Sequence, residues 1–206
     1  MKKINTNITA FILSGGKSSR IGKNKSFLVF DGKPLIQRLT DLLDSIFSEV
    51  VVSSNEPELY EFLDKKIVKD IYPGRGPLSG IHSALKFTTS DRNFIISCDM
   101  PFISSELIEY IIEYKYDASV VIPKADGRIQ PLCGIYPKII LSEAELLLSE
   151  SQVKNTALKG ITHELLSRVQ TEIIDVTKMN FYHPDIFFNV NTPEDYLYSL
   201  NFLEQI

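Results

Sequence analysis

The chain has 206 residues, 44% of them hydrophobic and 23% charged, which is the composition of a globular domain able to bury a core without disulfide or metal staples. Its net charge of −4 gives no support to a broad basic face for nucleic acid or anionic lipid, so any phosphate binding must be local. Cys98 and Cys133 lie in apolar surroundings without metal-like spacing, as expected in a reducing cytoplasm.

In chain order, Ile8–Leu13 is a short apolar run that predicts a buried first strand; it is too brief for a signal peptide or membrane span. Directly after it comes Leu13-Ser14-Gly15-Gly16-Lys17-Ser18-Ser19-Arg20-Ile21-Gly22-Lys23-Asn24-Lys25. Gly15 and Gly16 let the backbone approach a ligand closely, Ser18 and Ser19 add donors, and Lys17, Arg20, Lys23 and Lys25 concentrate positive charge. That combination reads as a phosphate cradle, although a solvated turn with lysines for solubility fits the same residues taken without their context. The Walker A pattern fails, because five residues separate Gly16 from Gly22 and Asn24 follows Lys23. The dinucleotide fingerprint fails too, since Gly15 and Gly16 are adjacent and no third glycine has the right offset.

Leu35, Ile36, Leu39, Leu42, Leu43 and Ile46 share one face of a predicted helix, and short apolar strands follow at 50–52 and 66–69. Asp70 comes just after the second of these, where it can also serve as a turn acceptor. A glycine- and proline-shaped loop, 71–80, leads into an amphipathic helix containing Ile81, Ala84 and Leu85. The start of that helix can face an anion or be no more than a tight connection.

A strand at 94–97 ends in Cys98-Asp99-Met100-Pro101-Phe102, followed by a helix carrying Leu107, Ile108, Ile111 and Ile112 and a strand at 118–122. Strands apolar nearly throughout, alternating with helices, predict an α/β fold: a mainly parallel sheet with helices on both faces and ligands beyond its carboxyl ends. Asp99 would stand at such an end. A carboxylate there suits Mg²⁺, but it equally fits a cap of the turn before Met100-Pro101 or of a helix starting near Ser104.

Beyond residue 128 the pattern predicts a strand at 129–136, helices at 139–148 and 157–166, and a strand at 172–176. Asn189 and Asn191 alternate on an extended segment, and Thr192-Pro193-Glu194-Asp195 opens a terminal helix running through Phe202. No linker or repeat divides the chain, so residues 1–206 are expected to form one domain. His82, His163 and His183 are dispersed and show no spacing for zinc or for a nucleophile–base pair.

The loop resembles the nucleotidyltransferase signature L-[AS]-G-G-x-x-x-R-[MI]-G-x-x-K, most closely that of the molybdenum cofactor guanylyltransferases, the MobA-like branch. Asp31-Gly32-Lys33-Pro34-Leu35, Gly76-Pro77-Leu78-Ser79-Gly80-Ile81, the Asp99 segment and Phe188-Asn189-Val190-Asn191-Thr192-Pro193-Glu194-Asp195 follow in that family's order. The resemblance therefore covers nearly the whole chain. It implies a Rossmann-like (GT-A-like) three-layer fold and Mg²⁺-dependent transfer of GMP from GTP to the terminal phosphate of molybdopterin or Mo-molybdopterin, with release of pyrophosphate.

By resemblance, Arg20, Lys25 and Asp99 are catalytic and Asp99 holds the metal. Leu13, Ser14, Gly15, Gly16, Lys25, Asp70, Gly76, Pro77, Leu78, Gly80, Asp99, Asn189 and Asn191 would bind the nucleotide. Related cytidylyltransferases usually carry Ala-Gly where this chain has Gly15-Gly16, which favours guanine. Ile21 and Asn24 stand where relatives often have Met and Asp. Residues 128–136 resemble the acceptor-side strand, with Gln130 where many relatives carry His.

A cytoplasmic enzyme is implied, with proteins that deliver cofactor to molybdoenzymes as partners and with neither nucleic acid nor membrane. The rival readings are a nucleotidyltransferase using CTP or a sugar or alcohol phosphate, and a non-catalytic nucleotide- or pterin-binding adaptor. The joint presence of Arg20, Lys25 and Asp99 speaks against the adaptor.

Overall fold

The structure is a computed structural model and describes residues 7–15, 24–114, 119–154 and 160–203. It begins with β1 (Ile8–Leu13), whose six residues are all buried, as a strand covered on both faces requires. A short hairpin of β2 (Val29–Phe30) and β3 (Lys33–Pro34) precedes α1 (Leu35–Ile46). Then come β4 (Glu49–Ser53), β5 (Lys66–Val68), α2 (Pro77–Phe87), β6 (Arg92–Ser97), α3 (Ser105–Glu113) and β7 (Val120–Ala125). The remaining elements are β8 (Arg128–Ile129), β9 (Cys133–Pro137), α4 (Leu141–Lys154), α5 (Ile161–Arg168), β10 (Thr171–Asp175) and α6 (Pro193–Leu203).

The main sheet has the order β10-β7-β9-β6-β1-β4-β5, with β8 attached to β7. β1 pairs in parallel with β4 and β6, β4 with β5, and β7 with β10; β9 runs antiparallel to both β6 and β7. The period of two along each strand splits its side chains between two cores. Ala10, Ile12, Val50, Val52, Phe94 and Ile96 pack on one face with Leu39 and Leu43 of α1 and Leu107, Ile108 and Ile111 of α3. Phe11, Leu13, Val51 and Ile95 pack on the other with α2, α4 and α5. The expected mainly parallel α/β fold with helices on both faces is what forms.

Helix starts follow from their first residues. The Ser104 hydroxyl accepts from Leu107 N at 3.3 Å and caps α3. At α6, Thr192 Oγ1 accepts from Asp195 N at 3.1 Å while Asp195 Oδ2 accepts from Thr192 N at 2.8 Å, a reciprocal capping box on the predicted cap residue.

The expected strand at 129–136 is broken. It divides into β8 and β9 around a turn in which Gln130 N donates to Pro123 O at 2.9 Å and Cys133 N to Gln130 O at 3.1 Å. Pro131 has no N–H to give to a ladder, which physically accounts for the interruption. The hairpins β2–β3 and β7–β8 turn on Asp31-Gly32 (φ 49° and 77°) and Asp126-Gly127 (φ 48° and 76°), the left-handed pairs of type I′ turns. The helix expected over 139–148 starts at Leu141 after a 3₁₀ turn, and that expected over 157–166 is seen as α5; residues 157–159 and Ala118 lie outside the described residues.

α6 folds back onto the first hairpin. Leu28, Phe30, Leu35 and Val190 form a small third core with Phe188, Tyr196 and Leu200, and the Tyr196 hydroxyl donates to Val29 O at 2.7 Å. This return brings the asparagine segment before α6 beside the residues that follow the glycine-rich loop.

Candidate active site

The order of the sheet reverses at β1: β4 and β5 lie on one side of it and β6 on the other. A crevice opens at such a switch point beyond the carboxyl ends of the strands. Backbone bonds run past the strand ends here, Ser14 N to Ser53 O at 2.9 Å and Cys98 N to Leu13 O at 3.1 Å, so residues 13–14 and 97–99 stand side by side.

Lys25 enters from a 3₁₀ turn, Lys25–Phe27, capped by Asn24, whose Oδ1 accepts from Ser26 N at 3.1 Å. Its ammonium donates to Asn191 Oδ1 at 2.6 Å and lies 3.8 Å from Asp99 Oδ2. Asp99 is oriented from its other oxygen, where Oδ1 accepts from the Ser97 hydroxyl at 2.6 Å. Its carbonyl accepts from Val190 N at 3.0 Å. Three distant stretches of sequence thus converge, with the Lys25 and Asp99 side chains each 20% exposed. At 3.8 Å the pair is too long for a hydrogen bond, so an anion can take the ammonium, or a cation Oδ2, without breaking one.

The other candidate residues divide by what they can present. Ser14 is buried at the end of β1, while Gly15 is exposed and a Cβ there would meet no atom within 4 Å. Gly16 and Arg20 lie outside the described residues. The Leu13 and Leu78 side chains belong to the core, so they have only backbone to offer a nucleotide. Gly76, with φ of 70°, and Pro77 are exposed at the start of α2. Gly80 lies inside the helix, where a Cβ would approach Leu13 Cδ2 to 3.0 Å; its smallness sets α2 close against the end of β1. Asn189 turns its amide onto Phe187 O at 3.0 Å and Asn191 Nδ2 reaches Asn189 O at 3.3 Å, so of the pair it is Asn191 that touches Lys25.

Asp70 is half-buried beyond β5 and is gripped by Asn55, whose Nδ2 donates to Oδ2 at 2.9 Å and whose Oδ1 accepts from Asp70 N at 3.0 Å. Burial raises the Asp70 carboxyl above the usual carboxylate range, partly offset by the Asn55 amide. A raised folded-state value means that its contribution to stability is present below the ordinary carboxylate pKa and is lost as pH rises through the folded one. Asp70→Asn is therefore expected to raise Tm at pH 7, with the difference shrinking at pH 3; thermal melts at both values check this, and a lower Tm at pH 7 would contradict it.

The profile of the MobA-like NTP transferase domain matches residues 10–167. The chain belongs to the MobA-like NTP transferase family. A probable molybdenum cofactor guanylyltransferase of Clostridium perfringens is 38% identical over 191 residues, covering 91% of this chain and 93% of that protein. The molybdenum cofactor guanylyltransferase of Desulfosudis oleivorans is 32% identical over 192 residues, covering 91% and 92%. Among solved structures, molybdopterin-guanine dinucleotide biosynthesis protein A of Archaeoglobus fulgidus superposes with a TM-score of 0.78 at 25% identity, over 97% of this chain and 100% of that one.

In this candidate site, Ser26, Tyr60 and Ser97 carry contacts that no motif announced. Ser97 immediately precedes the Cys98-Asp99 pair, so a search for hydroxyls adjacent to the acid would have found it. Tyr60 stands in Asn55-Glu56-Pro57-Glu58-Leu59-Tyr60, where nothing marks its hydroxyl as part of a site.

Proposed function

We propose that this MobA-like chain transfers GMP from GTP to the terminal phosphate of molybdopterin or Mo-molybdopterin, forming molybdopterin guanine dinucleotide and releasing pyrophosphate. The observation that carries the reading is the meeting of Lys25 Nζ and Asp99 Oδ2 at 3.8 Å, at the switch point of a MobA-like sheet. A terminal phosphate oxygen of the pterin attacks the α-phosphorus of GTP in line, and the bond to the β-phosphate oxygen breaks. No covalent enzyme intermediate is needed.

The chain supplies position and charge. Lys25, held by Asn191, and Arg20 neutralise the negative charge that grows on the departing pyrophosphate, an effect worth most in a partly water-excluded site. The backbone of Gly15 and Gly16 cradles phosphate, while Asp70, Gly76 and Pro77 line the guanosine side. Residues 128–136 face the acceptor.

Asp99 fits Mg²⁺. A hard carboxylate, with one oxygen oriented by Ser97 and the other making no hydrogen bond among the described residues, suits an ion that takes only one or two carboxylates and completes its shell with triphosphate and water oxygens. No group of three or more His, Cys, Asp or Glu residues able to hold a metal occurs among the described residues, so the chain does not offer there the closed cage that structural zinc uses. When bound, Mg²⁺ would neutralise phosphate charge and fix the α-phosphate for attack.

Pyrophosphate release, measured with GTP, CTP, ATP and UTP in the presence of molybdopterin, of sugar phosphates or of neither, together with GTP binding, tests the reading. Release is expected with GTP and only when molybdopterin is present. Preference for CTP would move the chain to a cytidylyl reaction, release with sugar phosphates would replace the acceptor, and GTP binding without release would make it an adaptor.

A further inference from the structure

At the carboxyl end of β1 a chain of buried polar atoms joins segments that no motif connects. The Tyr60 side chain is 0% exposed, and its hydroxyl lies 2.7 Å from Ser14 Oγ and accepts from Asn24 Nδ2 at 3.0 Å. Ser14 Oγ is 2.5 Å from Ser26 Oγ, which lies 3.3 Å from Cys98 Sγ. Asn24 Oδ1 already accepts from Ser26 N, which fixes the amide so that its Nδ2 is the group presented to Tyr60. One order of donation then satisfies every member: Asn24 to Tyr60, Tyr60 to Ser14, Ser14 to Ser26, and Ser26 to the sulfur.

The placement matters more than the count. Ser14 is the residue by which the phosphate loop leaves β1, and Asn24 and Ser26 flank Lys25, where the loop ends. Tyr60 belongs to neither end; it comes from the connection after β4, between the turns Pro57–Leu59 and Glu61–Leu63, and its ring packs 5.3 Å from that of Phe27. A buried hydroxyl on a ring that comes from outside the loop therefore touches both ends of the loop at once. Fixing a side chain in place costs conformational entropy, and bonds that hold Lys25's neighbours in the free protein remove part of that cost from the binding and chemical steps.

We propose that Tyr60 is a positioning residue: its hydroxyl clasps the two ends of the phosphate loop and so holds Lys25 toward Asp99 before GTP arrives. This rests on the reading of Lys25 as a catalytic charge. Asn24 is part of the device, since an Asp in its place could accept from Ser26 N but, ionised, could not donate to Tyr60.

Tyr60→Phe keeps the ring and removes only the hydroxyl. It is expected to lower kcat about tenfold, the size of one lost hydrogen bond, and to change KM for GTP by less than about twofold. Made in a Lys25→Ala background, the same substitution is expected to cost nothing further, because the group it positions is gone. An equal fold-loss in both backgrounds, or wild-type kcat for Tyr60→Phe, would overturn the proposal. Wild-type turnover in Lys25→Ala alone would instead remove the reading on which it rests. Phe27→Leu loosens the packing under the ring without touching the hydroxyl; it should lower Tm and spare kcat, and a kcat loss tracking Tm in both variants would reduce Tyr60 to a structural role. If Tyr60→Phe fails to fold, Ser26→Ala interrupts the same chain and carries the same cycle against Lys25→Ala.

Discussion

Asp99→Ala is expected to fold as the wild type does and to lose about 10²–10³ in turnover, roughly 3–4 kcal/mol of transition-state stabilisation. Folding should survive because the bond that ties this corner to the C-terminal segment, Val190 N to Asp99 O at 3.0 Å, is made by backbone that alanine keeps. What disappears is the carboxylate proposed to anchor the divalent ion, together with one hydrogen bond from Ser97. Asp99→Asn separates the two losses, since it keeps an acceptor for Ser97 but not the charge. Both variants should be nearly inactive in pyrophosphate release with unchanged circular dichroism. Wild-type turnover of Asp99→Ala in Mg²⁺ would show that the carboxylate holds no essential ion.

Lys25→Ala should cost a similar factor, about 10²–10³, and the loss should fall on kcat more than on KM. The reason lies in when the charge is needed: the pyrophosphate gains negative charge as it departs, so a fixed ammonium binds the transition state more tightly than bound GTP. The lysine is well placed for this. Among the described residues its Nζ donates to Asn191 Oδ1 at 2.6 Å and forms no shorter ion pair than the 3.8 Å one with Asp99, so its charge is oriented without being fully spent there. Steady-state kinetics with GTP as the varied substrate checks the split. A variant with raised KM and wild-type kcat would demote Lys25 to a ground-state contact.

Much of this architecture is legible from residue order because burial imposes strong periodicities. The run Ile8–Leu13 is apolar at all but one position and forms a fully buried strand, and the face from Leu35 to Ile46 matches α1 at both ends. The segment 129–136 was less legible, because apolar content alone does not register the donor missing at Pro131. The hairpins turning on Asp31-Gly32 and Asp126-Gly127 carried a recognisable turn signal, but β2, β3 and β8 have only two residues each, too few to show an alternation.

The site divides in the same way. Lys25, Asp99 and Asn191 stand in motifs whose order along the chain announces them, and the fold brings those three together. Ser26, Tyr60 and Ser97 make their contacts through side-chain hydroxyls whose partners are fixed only by tertiary structure, such as the contact between Ser14 and Tyr60, 46 positions apart. Spacing cannot reveal such a contact. Asn189 shows the opposite limit: alternation suggested that it shares a face with Asn191, but its amide is taken up by its own backbone neighbourhood at Phe187.

A crystal of the protein soaked with GTP and Mg²⁺ tests the account most directly. The triphosphate should lie across the carboxyl edge of β1 and β6, with Lys25 Nζ on its phosphate oxygens and the ion bound to Asp99. A triphosphate held elsewhere, or a metal-bound triphosphate that leaves both Lys25 and Asp99 untouched, would contradict it.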